Sequence, residues 1–141
     1  MLRYKVLEGG YKLERAHFDD AGIDFRTPEE FTLDPHGGQH VVDLKVAVQI
    51  PIGYFGKMES KSGLMVNHGV CCKGGVVDSG FRGTVKVRMQ NDGDEPYTFQ
   101  QGDKLVQMVL IPVLLADIEL ADELDASESG RDASGWGSTG R

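Results

Sequence analysis

Val41-Val42-Asp43-Leu44-Lys45-Val46-Ala47-Val48-Gln49-Ile50 sets Val42, Leu44, Val46, Val48 and Ile50 on one face of an extended chain and the intervening residues on the other. A period of two is that of a strand with one buried face. Thr84 to Gln90 repeats it, with Val85, Val87 and Met89 opposing Thr84, Lys86, Arg88 and Gln90, and Leu2, Tyr4 and Val6 repeat it more weakly. Leu105 to Ile111 is almost continuously apolar, the pattern of a strand covered on both faces. Turn formers separate these runs at Asp34-Pro35-His36-Gly37-Gly38, Pro51-Ile52-Gly53, Asn91-Asp92-Gly93-Asp94 and Gln101-Gly102-Asp103. Short strands at this spacing predict an all-β sandwich or barrel, with one short helical turn near Lys61 to His68.

The 141 residues suffice for a single hydrophobic core. At Asp125 the composition changes to Ser, Gly, Asp and Ala, with Trp136 the only large apolar residue beyond it. The chain is therefore divided into a β domain, 1–124, and a flexible C-terminal arm, 125–141, which cannot bury enough surface to fold alone. A balance of 22 acidic to 15 basic residues gives a formal charge of −7, which disfavours a nucleic-acid polymer as partner. A small phosphorylated ligand remains compatible, since a few cations and backbone amides can hold it locally. No apolar run approaches the roughly 20 residues of a membrane span, and the first residues lack a secretory apolar stretch, so a soluble cytoplasmic protein is expected. Cys71 and Cys72 are adjacent, which suits reduced strand residues better than a metal pair or a disulfide framework. The four histidines show no metal-ligand spacing.

Five segments carry candidate chemistry. Gly74-Gly75-Val76-Val77-Asp78-Ser79-Gly80-Phe81-Arg82-Gly83 reads as a hairpin whose Asp78 is either an Asx-turn residue or a general base on water, with Phe81 able to pack on a sugar or base. Ser60-Lys61-Ser62-Gly63 follows the strand-like Tyr54 to Met58 and opens the helical turn. Its hydroxyls serve either as N-caps or, with Lys61, as phosphate ligands. Gln107 sits inside an apolar strand and needs a partner in backbone, loop or ligand. Asp20-Ala21-Gly22-Ile23-Asp24-Phe25 places Asp24 in a tight turn, where it could reach a hydrated cation. Arg131 to Arg141 combines a planar cation, a stacking ring, hydroxyls and glycine hinges, the ingredients of a lid over a nucleotide.

In this order the segments resemble the five motifs of the homotrimeric dUTP diphosphatase family, from Ala21 to Arg141. The resemblance implies a jelly-roll-like β fold, a homotrimer with shared active sites, and hydrolysis of dUTP to dUMP and pyrophosphate with Mg2+, which supplies dUMP and keeps uracil out of DNA. It implies that Asp78 holds the water that attacks the α-phosphorus, that Phe81 excludes a ribose 2′-hydroxyl, and that backbone around Cys72, Val76, Val77 and Lys86 reads uracil. Lys61, Ser62, Gly63 and Gln107 would bind the phosphate chain, and Asp24 would reach the metal through water. From the arm, Arg131 would clamp the terminal phosphate while Trp136, with Gly137 and Ser138, closes over the base. Departures from the family pattern include Lys61 for the usual Arg, which replaces a bidentate fork with a point charge, Phe81 for Tyr, Trp136 for Phe, and Asp132 and Ser134 at glycine positions. Cys72 stands where some members have a uracil-binding Asn. Two alternatives remain: a dCTP deaminase, a family similar in fold but lacking the lid Gly137-Ser138-Thr139-Gly140, and a nucleotide-dependent regulatory binding protein.

Overall fold

The computed structural model describes residues 1–129 and residue 133. Among them the elements run β1 (Arg3–Val6), β2 (Gly22–Arg26), β3 (Phe31–Leu33), β4 (Gly38–Gln49), β5 (Tyr54–Ser60), α1 (Ser62–His68), β6 (Val70–Lys73), β7 (Val76–Val77), β8 (Thr84–Asn91), β9 (Tyr97–Phe99) and β10 (Lys104–Pro112). One sheet has the order β1-β4-β8-β6, a second β2-β10-β5-β7, and β3 pairs with β9 in a third. All pairings are antiparallel. Side chains from all three sheets meet in one apolar cluster, so the architecture is the expected β sandwich of jelly-roll type.

The alternation in β4 determines which face is inside: Val42, Leu44, Val46, Val48 and Ile50 are all buried. Val85, Val87 and Met89 of β8 meet them from the neighbouring strand. Between Asp43 and Ala47 the register against β8 shifts, with Asp43 opposite Lys86 and Ala47 opposite Thr84, so β4 carries two residues more than its partner. In β10 a smaller irregularity between Lys104 and Val106 lets both Leu105 and Val106 turn inward. Tyr4, in the edge strand β1, stays 43% exposed, because an edge strand covers less core than its pattern alone implies.

Two expectations change. Beyond Leu105, Val106 and Met108, the strand β10 is only half-buried at Val109, Leu110 and Ile111, of which Leu110 packs against the core cluster. The Gly74–Gly83 segment is the expected hairpin in a broad form: the strands on either side of it, β6 and β8, pair antiparallel with Lys73 opposite Arg88, and within it β7 crosses to pair with β5 of the other sheet. Asp24 lies in strand β2 rather than in a turn.

Leu44 is fully buried at the centre of the longest strand. Leu44→Ala is expected to cost about 2–5 kcal/mol, read as a lower urea midpoint with an unchanged slope.

Candidate active site

The Gly74–Gly83 hairpin shapes an open cleft of about 410 Å³, lined by Val76, Val77, Asp78, Phe81, Thr84 and Lys86 among others. Among the described residues the exposed carboxylate of Asp78 makes no hydrogen bond or ion pair. The Asx-turn reading therefore fails. The loop is held instead by the amide of Phe81, which donates to the Asp78 carbonyl at 3.1 Å, and by Arg82, whose Nη1 donates to the carbonyls of Ser79 and Phe81 at 2.6 and 2.8 Å. Phe81 lies over Gly83, where an added methyl would stand 2.7 Å from the ring Cζ, so glycine is what allows the aromatic to seat. Behind the cleft Thr84 donates to Asp43 at 3.1 Å, and Lys86 stands 3.9 Å from the same oxygen.

A second group of residues gathers at the far end of β5. Its helix α1 has Lys61 as N-cap with no side-chain cap bond, which corrects the expectation of a serine cap. The Ser60 hydroxyl instead accepts from the Cys72 amide at 2.9 Å. The first amides of α1 have no intrahelical partner. Gln107 Nε2 donates to the Ser60 carbonyl at 3.0 Å, and its side chain lies against Gly22, where a Cβ would collide with Oε1. Its partner is thus backbone. Asp24, 2% exposed, has Lys61 Nζ at 2.5 Å from Oδ1 and Lys104 Nζ at 2.7 Å from Oδ2. Burial opposes ionisation, but the hydrogen bonds from Lys104 and Lys61 outweigh it and hold the Asp24 carboxyl below its ordinary value.

Sequence reasoning passed over Lys104, Glu14, Arg26 and Asp43. The available signal was the acidic side chain between Ile23 and Phe25, since a buried carboxylate needs cationic partners. No group of three or more His, Cys, Asp or Glu suited to a metal occurs among the described residues. Both oxygens of Asp24 already face ammonium groups. This donor set does not fit a protein-ligated cation.

The two groups do not meet within one chain. β5 pairs with β7 so that Gly56 faces Val77 and Lys57 faces Val76. Antiparallel geometry sends Asp78 toward Phe55, away from Ser60 and Lys61. Six residues of strand separate Phe55 from Lys61, on the order of 20 Å. Cys72 lies in β6, where burial pushes its thiol up to about 11, and Cys71 beside it is likewise free. Arg131, Trp136, Gly137 and Ser138 lie outside the described residues, as do Asp132 and Ser134.

A family model described as dUTPase matches residues 12–140. The deoxyuridine 5′-triphosphate nucleotidohydrolase of an Anaeromyxobacter species is 43% identical over 142 residues, spanning 97% of this chain and 95% of that relative. Its counterpart in Debaryomyces hansenii is 40% identical over 123 residues, spanning 86% and 75%. The solved structure of the Staphylococcus bacteriophage 80alpha dUTPase with dUPNHPP superposes with a TM-score of 0.89 at 26% identity, covering 100% of this chain and 99% of that one.

Two outcomes follow from this geometry. Gly83→Ala should displace Phe81 and raise KM for a nucleotide substrate, with the global fold retained by circular dichroism. Because the folded-state value of Asp24 is depressed, its stabilisation is full above the unfolded value of about 3.9 and fades as pH falls through the lower folded value. Asp24→Asn should therefore cost about 1–3 kcal/mol at pH 7, and the gap to the parent protein should narrow in urea melts at pH 3; a constant gap would contradict the ion-pair assignment.

Proposed function

This chain belongs to the dUTPase family and hydrolyses dUTP, and from that premise we propose how its residues divide the work. The observation that carries the reading is the carboxylate of Asp78, which has no hydrogen-bond or ion-pair partner among the described residues, in a cleft beside Phe81. Asp78 orients a water toward the α-phosphorus and accepts its proton as the new P–O bond forms. The bond from the α-phosphorus to the bridging oxygen breaks, leaving dUMP and pyrophosphate. This supplies dUMP and keeps uracil out of DNA. Phe81 packs against the deoxyribose and leaves no room for a 2′-hydroxyl, while backbone groups of Cys72, Val76, Val77 and Lys86 face the uracil edge.

Lys61, Ser62, Gly63 and Gln107 hold the phosphate chain at the other end of β5, where the free amides of α1 add to the charge of Lys61. The family's Mg2+ is assigned to accompany the triphosphate; since the Asp24 surroundings do not fit a direct ligand set, no step is drawn through it. Residues 125–141 form the arm, with Arg131 on the terminal phosphate and Trp136, Gly137 and Ser138 over the base. A dUTP analogue occupies the phage relative, which supports the substrate reading here. The distance between Asp78 and Lys61 along β5 supports a site completed by another copy, and thus a homotrimer with shared sites. A soluble nucleotide substrate suits a cytoplasmic setting.

Pyrophosphate release should occur from dUTP and not from dTTP, dCTP or UTP, and Asp78→Asn should lower kcat by about 10²–10⁴-fold. Ammonia release from dCTP would favour a deaminase instead. Chains carrying Asp78→Asn and chains carrying Lys61→Glu, each inactive alone, should regain activity when unfolded together and reassembled. No recovery would mean that each site lies within one chain.

A further inference from the structure

We propose that Lys104 is a positioning residue for this reaction, acting through the buried carboxylate of Asp24 to hold the Lys61 ammonium where the phosphate chain binds. The inference rests on the phosphate-binding role given above to Lys61.

Charges of alternating sign run from the side of the sandwich to the start of α1. Arg26 Nη2 lies 2.5 Å from Glu14 Oε1, and Lys104 Nζ lies 3.5 Å from that same oxygen. Lys104 Nζ is also 2.7 Å from Asp24 Oδ2, and Lys61 Nζ is 2.5 Å from Asp24 Oδ1. Three cations against two carboxylates leave one positive charge uncompensated, and Lys61 is the terminal cation of the line. A lysine offers a compact charge on a flexible stem, with none of the fixed fork by which an arginine orients itself. Its direction must come from outside, and here it comes from Asp24.

Lys104 makes that direction specific. With Oδ2 engaged by Lys104, Lys61 is left with Oδ1 alone. Its remaining two donor positions are free to face an anion. The Asp24 backbone is fixed by its amide, which donates to the Glu14 carbonyl at 2.8 Å, and by its pairing with Gln107 of β10, while the two ammonium groups, one on each oxygen, orient the carboxylate. From the same strand, Gln107 holds the carbonyl of Ser60, the residue preceding Lys61. Strand β10 thus tethers Lys61 twice, at its backbone through Gln107 and at its ammonium through Lys104 and Asp24. Lys104 and Lys61 are each about one-third exposed at the side chain, 32% and 28%, so the pair borders solvent that a ligand can displace. Without Lys104, the Lys61 ammonium would be drawn between both oxygens of Asp24 and withdrawn from the phosphates.

The test is a double-substitution cycle on the full-length protein, with dUTP turnover measured for the parent, K61M, K104M, K104R and K61M/K104M, and inhibition by deoxyuridine, which carries no phosphate, measured for each. K104M should raise KM for dUTP about tenfold with kcat changed less than about twofold, K104R should restore KM, and deoxyuridine inhibition should not move. In the K61M background, K104M should add nothing, because its effect passes through Lys61. An equal effect of K104M with and without Lys61, or a parallel rise in the deoxyuridine inhibition constant, overturns the proposal. So does an unchanged KM in K104M. An unchanged KM in K61M alone removes the phosphate role of Lys61 and is read without reference to Lys104. If K104M fails to fold, K104Q, which keeps a donor toward Oδ2 but no charge, carries the same comparison.

Discussion

The register of β4 against β8 takes up two extra residues without changing which face of β4 is buried. Side chains alternate across a strand, so a pair of extra residues leaves strict alternation intact and every side chain beyond it on its original face. Leu44 and Val46 therefore stay buried on either side of Lys45, which takes a φ of 55°. The distortion is closed by Asp43, whose Oδ1 accepts from the Lys45 amide at 3.0 Å, and by the Leu7 amide, which donates to the Lys45 carbonyl at 2.8 Å. Gly10 packs against that carbonyl, 2.5 Å from where a Cβ would stand. The other oxygen of Asp43 accepts from Thr84, beside Lys86. One carboxylate thus shapes the central strand pair and orders the wall of the Asp78 cleft.

The second sheet imposes a complementary constraint. β5 is shared by β10 and β7, and the antiparallel pairing with β7 determines which end of it Asp78 occupies. Phosphate-directed cations collect at the opposite end. Under the proposed assignment of roles, the water-directing carboxylate and the phosphate-binding cations therefore belong to distinct surfaces of one chain.

Much of this was legible in the residues themselves. The alternation at Val42 to Ile50 and at Val85 to Met89 identified the inner face, and the turn formers located the breaks between strands. The five motifs in order pointed to the family. The partners of Asp24 were not legible: Lys61 is 37 positions away, and its contact depends on how two sheet strands and a helix cap converge. The hairpin at Gly74–Gly83 was legible, since β6 and β8 flank it and pair with each other, whereas the crossing of Val76 and Val77 to β5 was not, because a two-residue pairing with another sheet leaves no local pattern. Nor was the need for glycine at 22 and 83, where a side chain, Gln107 or Phe81, lies against the backbone.

By itself the sequence determined the strand periodicity, the single core and the set of reactive groups, because these follow from local spacing and side-chain chemistry. Tertiary structure decided which of those groups meet. Register placed Asp78 and Lys61 at opposite ends of one strand, and burial required Asp24 to take two ammonium partners. The reason is physical: hydrogen-bonded pairing between strands and the cost of an uncompensated buried charge act between residues distant along the chain, and no local pattern records them.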